Sequence, residues 1–123
     1  DPVEALHKVI PINMRFDHEN VKLFRTIRAQ AVSDPDFRTV LEGRMQNRRK
    51  SIHDVMEWLQ RERKLAEGWS VDEATDWIFS VISFHVYDGL VNTCGWSMEH
   101  LSRRLLEMRD STILMNQRLE IRD

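Results

Sequence analysis

The sequence predicts an all-α domain, and three observations carry that prediction. Turn residues are scarce: four glycines and three prolines in 123 residues, with every proline in the first 35. A sandwich or barrel needs such residues throughout its length. Helix start signals recur along the chain. Between them, apolar residues fall at helical rather than alternating spacing. Hydrophobic residues make up 41%, enough for one core in a chain this long, and charged residues of both signs make up 31%. No apolar run approaches the ~20 residues of a membrane span.

The elements follow in order. Asp1-Pro2-Val3-Glu4 reads as an N-cap, a proline at the first helical position and an acid three residues after the cap. That helix is expected to stop near Pro11. A second helix starts between Asn13 and Asp17 and runs to about Val32. Ser33-Asp34-Pro35-Asp36 repeats the cap-and-proline signal and opens a long third helix to Glu67. Gly43 is its one weak point, at a cost of ~1 kcal/mol relative to alanine. A triplet then recurs, as Gly68-Trp69-Ser70 and Gly95-Trp96-Ser97. In each, glycine ends one helix in a left-handed conformation and serine caps the next. The fourth helix is therefore expected over Val71 to Cys94 and the fifth over Met98 to Met115. The polar tail after Met115 is expected to fray.

The helical faces divide into two kinds. Phe16, Leu23, Phe24, Ile27 and Ala31 form one stripe, and Phe37, Leu41, Met45, Ile52, Val55, Met56 and Leu59 another. The fourth helix is different. Ala74, Trp77, Ile78, Val81, Ile82, Phe84, Val86, Leu90 and Val91 cover well over half its circumference. The fifth adds Met98, Leu101, Leu105 and Met108. Such a surplus calls for a partner, and two copies related by a two-fold axis would make a four-helix interface. The expected seam is Trp77, Val81, Phe84, Val91, Met98, Leu101, Leu105 and Met108.

Polar residues interrupt these stripes. Asn20, Arg48, His85 and Asn92 all lie on apolar faces. A buried polar group needs a partner or costs ~1–3 kcal/mol, and a buried arginine costs more. Either these groups satisfy one another, or they line a mostly apolar cavity that orients a small molecule. The expected pocket is Asn20, Phe24, Arg48, Ile52, Met56 and His85.

Several chemistries find no support. A carboxylate-bridged di-metal bundle needs two Glu-x-x-His pairs, and Glu4-x-x-His7 stands alone. His53, Asp54 and Glu57, at i, i+1 and i+4, could bind one metal weakly, but such a set is more often a solvated face, and that is the expectation here. Cys94 precedes a helix-ending glycine, away from the positive helix end that activates a thiol, so it reads as a packing residue. There is no phosphate loop and no nucleophile elbow. The net charge of -2 argues against a free-standing nucleic-acid binder, and the basic clusters around Arg48 and Arg63 read as solvated helix faces. One cysteine excludes an internal disulfide and points to a reducing, cytoplasmic setting. The expectation is a protein without metal or cofactor and without catalysis.

Gly68-Trp69-Ser70-Val71-Asp72-Glu73-Ala74, Val86-Tyr87-Asp88-Gly89-Leu90-Val91, Gly95-Trp96-Ser97-Met98-Glu99 and Leu105-Leu106 together resemble the C-terminal regulatory domain of tetracycline-repressor-like (TetR) transcription factors. Ser33-Asp34-Pro35-Asp36-Phe37 is similar to the turn into their long middle helix. The resemblance spans roughly Asp1 to Leu114, and the segment from Tyr87 to Ser97 is its most specific part. It implies a five-helix bundle and a homodimer joined through the last two long helices. It also implies a small, often apolar effector held among the preceding helices. Effector binding would move the first helix and so an N-terminal helix-turn-helix. No such unit lies between Asp1 and Asp123, so residues 1–123 are expected to be the ligand-binding and dimerisation domain alone. Contact with DNA would come only through the missing part. A helical metal carrier or enzyme, or a purely structural dimerisation module, are the alternatives.

Overall fold

The structure is a computed structural model that describes residues 1–115. Among these residues there are six α-helices and one π-helical segment: α1 (Pro2–Glu19), α2 (Val21–Ser33), α3 (Pro35–Arg61), α4 (Val71–Val81), α5 (Phe84–Tyr87), the π segment (Asp88–Thr93) and α6 (Met98–Thr112). There is no strand among them, only an isolated bridge between Leu65 and Leu114. No described helix is long and apolar enough to cross a membrane.

The expected caps form. The Asp1 carboxylate accepts from the Val3 amide at 2.9 Å, Asp34 from Phe37 at 3.1 Å, Ser70 from Glu73 at 3.0 Å and Ser97 from His100 at 3.0 Å. Each satisfies one of the orphan donors of a helix start. Gly68 and Gly95 take positive φ, 90° and 79°, where a side chain would be strained.

Three boundaries depart from expectation. The first helix does not stop at Pro11 but runs through it to Glu19. An interior proline costs ~3 kcal/mol. Leu6, Ile10 and Met14, at i, i+4 and i+8 on one face, are all at most 2% exposed. Their burial outweighs the loss. The break comes instead at Asn20, whose side-chain amide donates to the Phe16 carbonyl at 2.8 Å. The third helix ends at Arg61, not Glu67. Arg63 adopts a left-handed φ of 57°, and Lys64 donates its amide to the Leu59 carbonyl at 2.8 Å. This releases Leu65 to be buried and to bring the chain alongside Leu114. Ala66 then donates to Ile113, and Met115 to Lys64. The tail after Met115 lies outside the described residues.

The largest departure is in the fourth helix, which is not continuous from Val71 to Cys94. Ser83 is extended (φ -72°, ψ 157°) and restarts the chain as α5. The expected five-helix pattern thus becomes six helices and a π segment. The break also alters what faces inward. Phe84 (8% exposed) and Tyr87 (0%) turn into the chain's own core. The Phe84 ring lies 4.9 Å from that of Phe24 and 6.3 Å from that of Tyr87, with Arg28 over it at 5.8 Å. The fourth helix was expected to carry more apolar surface than one chain covers, and at Phe84 that premise is corrected. Leu101 and Leu105 on α6 are likewise buried within the chain. Val81, Val91, Met98 and Met108 are half-buried, and Trp77 is exposed with its indole nitrogen 3.0 Å from the Met108 sulfur.

Candidate functional site

The break after α4 creates the site. A helix that stops leaves carbonyls without intrahelical donors. The Ile82 carbonyl is met from two sides: by the Asn13 side-chain amide of α1 at 2.7 Å and by Arg48 Nη2 of α3 at 2.9 Å. Three elements thus converge on one backbone oxygen near the middle of the bundle.

Asp17 sits one turn beyond Asn13 on α1. It is 2% exposed, and its Oδ2 has no hydrogen-bond partner among the described residues. Burial pushes its pKa up from 3.8 to about 6, and the nearby Arg48 charge only partly opposes that rise. Arg48 is pushed down by the same loss of solvent, with Asp17 opposing. Its guanidinium also lies 6.0 Å from the centre of the Phe79 ring. Tyr87 is fully buried. Burial first, then the charges of Asp17 and Asp88, raise the pKa of its hydroxyl. That hydroxyl is hydrogen-bonded to His18 Nδ1.

His18 and Tyr87 lead outward from this centre to an open cleft of about 600 Å³ between the α1–α2 corner and the π segment. Asn20, Leu23, Arg25 and Asn92 complete most of its wall. Two contacts clasp it. One is the His18–Tyr87 pair. The other is Asp88, which accepts from Arg25 at 2.9 Å and from Asn92 at 2.8 Å, with Arg28 at 3.8 Å. Those hydrogen bonds, Asn92 first, hold the Asp88 carboxyl below its ordinary pKa. A π segment is uncommon and recurs at functional sites. Here it carries the clasp.

The expected pocket residues are dispersed. Asn20 lines the cleft, and Arg48 belongs to the polar centre behind it. Phe24 packs between the rings of Phe16 (5.6 Å) and Phe84. Ile52 and Met56 are core residues further along α3, at 7% and 0% exposure. His85 is exposed on α5 and is not brought to the others. Asn13, Asp17, His18 and Tyr87 were missed. The signal for the first two was present: a helix continued through Pro11 puts Asn13 and Asp17 beside Ile10 and Met14. The expected stop at Pro11 concealed it.

The arrangement suits binding. It offers an acceptor oxygen without a partner among the described residues and a half-buried cation near an open cleft whose wall is mostly polar, with Glu19 and Lys22 beside Asn20, Arg25 and Asn92 and the Tyr87 ring. No protein-family model matches this sequence, and no curated protein or solved structure matches it.

Proposed function

We propose that this domain is the effector-sensing and dimerising part of a TetR-like transcriptional regulator. The observation that carries the reading is Asp17: a buried carboxylate with an oxygen unpartnered among the described residues, close enough to Arg48 and Tyr87 for their charges to act on one another, and next in sequence to His18, which lines the cleft. A buried charge without full compensation is destabilising. Groups of that kind concentrate where a site must recognise something. In this reading a small, largely apolar molecule carrying a hydrogen-bond donor enters between the α1–α2 corner and the π segment. It parts His18 from Tyr87 and reaches Asp17. Asn13, Asp17 and His18 all ride on α1, so binding biases the position of α1. In the parent protein α1 would follow the DNA-reading part, and the domain binds no DNA itself. The role is binding, not catalysis.

The partner surface in this reading is a second copy, seated on Trp77, Val81, Val91, Met98 and Met108. Sedimentation tests it: Trp77→Glu should give a monomer with an unchanged helical spectrum. Phe84 and Leu105 are unsuited to this test, because charging a core residue unfolds the chain. Effector binding is tested by thermal denaturation with a panel of small apolar alcohols, amides and phenols. A binder at 100 times its Kd adds about 2.7 kcal/mol to stability. That gain should vanish in Asp17→Asn. Failure of every compound to stabilise the protein, or equal stabilisation of Asp17→Asn, would count against the site.

A further inference from the structure

We propose that His53, Asp54 and Glu57 on α3 bind one divalent transition-metal ion, with Asp72 on α4 orienting the histidine. The site is separate from the polar centre and does not depend on the sensing reading.

The argument begins with spacing. His53 and Glu57 stand at i and i+4, neighbours on one helix face. His53 Nδ1 lies 3.2 Å from Glu57 Oε1. Two ligands bonded at ~2.0–2.1 Å to a tetrahedral ion must sit roughly 3.3 Å apart. These two atoms already hold that separation. One ligand atom from each of His53, Asp54 and Glu57 lies within 4.8 Å of the other two. Asp54 is exposed, and its short side chain supplies the third ligand. Water takes the open position.

The second observation comes from another helix. Asp72 Oδ1, in the first turn of α4, lies 3.1 Å from His53 Nε2. The two ring nitrogens point apart, so Asp72 and Glu57 cannot share an ion. Asp72 instead accepts the Nε2 proton, which leaves the Nδ1 lone pair on the Glu57 side. A carboxylate behind a ligating histidine is the arrangement that fixes ring orientation and raises ligand basicity at metal sites. The register of the two helices holds it there. One turn away, Arg49 Nη2 meets Asp76 Oδ1 at 2.6 Å, so 49 pairs with 76 as 53 pairs with 72. One imidazole and two carboxylates favour zinc, copper or nickel over magnesium. Arg61 approaches only the other Glu57 oxygen, at 3.9 Å.

The test is calorimetric titration of the whole chain with Zn²⁺ alone, with Mg²⁺ as control. One zinc per chain is expected, and no response to Mg²⁺. His53→Ala should weaken zinc binding at least tenfold while keeping its helical spectrum. Glu57→Gln should also weaken it. Asp72→Asn removes no ligand, so it should keep one ion per chain while weakening it by about tenfold. With Co²⁺ in place of zinc, the visible absorption should shift in Asp72→Asn and disappear in His53→Ala. Cys94→Ser should change nothing. No zinc uptake by the native chain, or equal uptake by His53→Ala (an adventitious ion only), overturns the site. Loss of binding in Cys94→Ser overturns it too. Native affinity and an unshifted cobalt spectrum in Asp72→Asn overturn the orienting role.

Discussion

The two ends of α3 live in different surroundings. Its C-terminal half buries Ile52, Met56 and Leu59 against α1 and α4. Its N-terminal half, with α2, forms a helical hairpin that contains no buried residue. Both halves carry apolar stripes of similar appearance. Phe37, Leu41 and Ile27 reach only half-burial, and Met45 and Val32 stay exposed. The difference is the number of neighbours. The core end of α3 has helices on several sides; the hairpin has mainly its own second strand of helix. An amphipathic stripe states which side a helix will bury, and the packing around it decides how far. The cleft lies where the two regions meet. Its clasp, Arg25 to Asp88, ties the hairpin to the π segment. The half-covered region is thus the one free to respond to a ligand, because low contact density goes with low local opening energy.

The sharpest way to break this contrast is by truncation on both sides of it. Ile78→Ala, at 0% exposure, should destabilise by about 2–5 kcal/mol, whereas Ile27→Ala should cost about 1 kcal/mol or less. Urea denaturation of the two variants measures both. Equal losses would show that the hairpin is as firmly packed as the core.

Next in size is the charge at the boundary. The Asp17 carboxyl titrates near 6 when folded and near 3.8 when unfolded. The folded state therefore holds this proton more tightly. Between those values the folded form binds more protons than the unfolded one, so the Asp17 contribution to stability falls as pH rises from about 4 to about 6. Above 6 the full penalty remains, on the order of 2–3 kcal/mol. Asp17→Asn should recover part of it at pH 7 and remove the slope in that interval. Stability measured against pH on the two proteins decides. A native slope that persists in Asp17→Asn would assign it elsewhere.

The same boundary marks what the residues disclose in advance. Starts set by local chemistry were legible, in the caps at Asp1, Asp34, Ser70 and Ser97, and so was the left-handed backbone at Gly68 and Gly95, although α3 ends at Arg61 and Gly68 is not its stop. Each needs only its near neighbours in sequence. Features set by tertiary packing were not. Pro11 stays helical because Ile10 and Met14 are buried. Arg63 turns left-handed because Leu65 is drawn to Leu114. Ser83 breaks α4 where Asn13 and Arg48, far away in sequence, wait for the Ile82 carbonyl. Arg48 was legible as an anomaly in an apolar stripe, but its partners were not. Asp17 belonged to a helix whose length was underestimated. The Asn20 break was hidden the same way, and with it the corner that makes the cleft.

The smallest expected effect tests the clasp. Asp88 receives Arg25, Arg28 and Asn92, and its side chain is 24% exposed. Ion pairs in such settings contribute less than ~1 kcal/mol. Asp88→Asn should therefore barely move the global unfolding midpoint. Its consequence should be local. With the carboxylate gone, α2 loses its charged tether to the π segment, and hydrogen exchange at α2 amides should accelerate several-fold, while α1 and α6 amides keep their protection. Those core helices are held by Leu6, Ile10, Met14 and Leu101, none of which touches the clasp through charge. If exchange rises equally in α1, the hairpin and the core open as one unit, and the division drawn at the middle of α3 is false. If α2 alone loosens, a bond worth little to overall stability is what holds the half-covered hairpin against the rest.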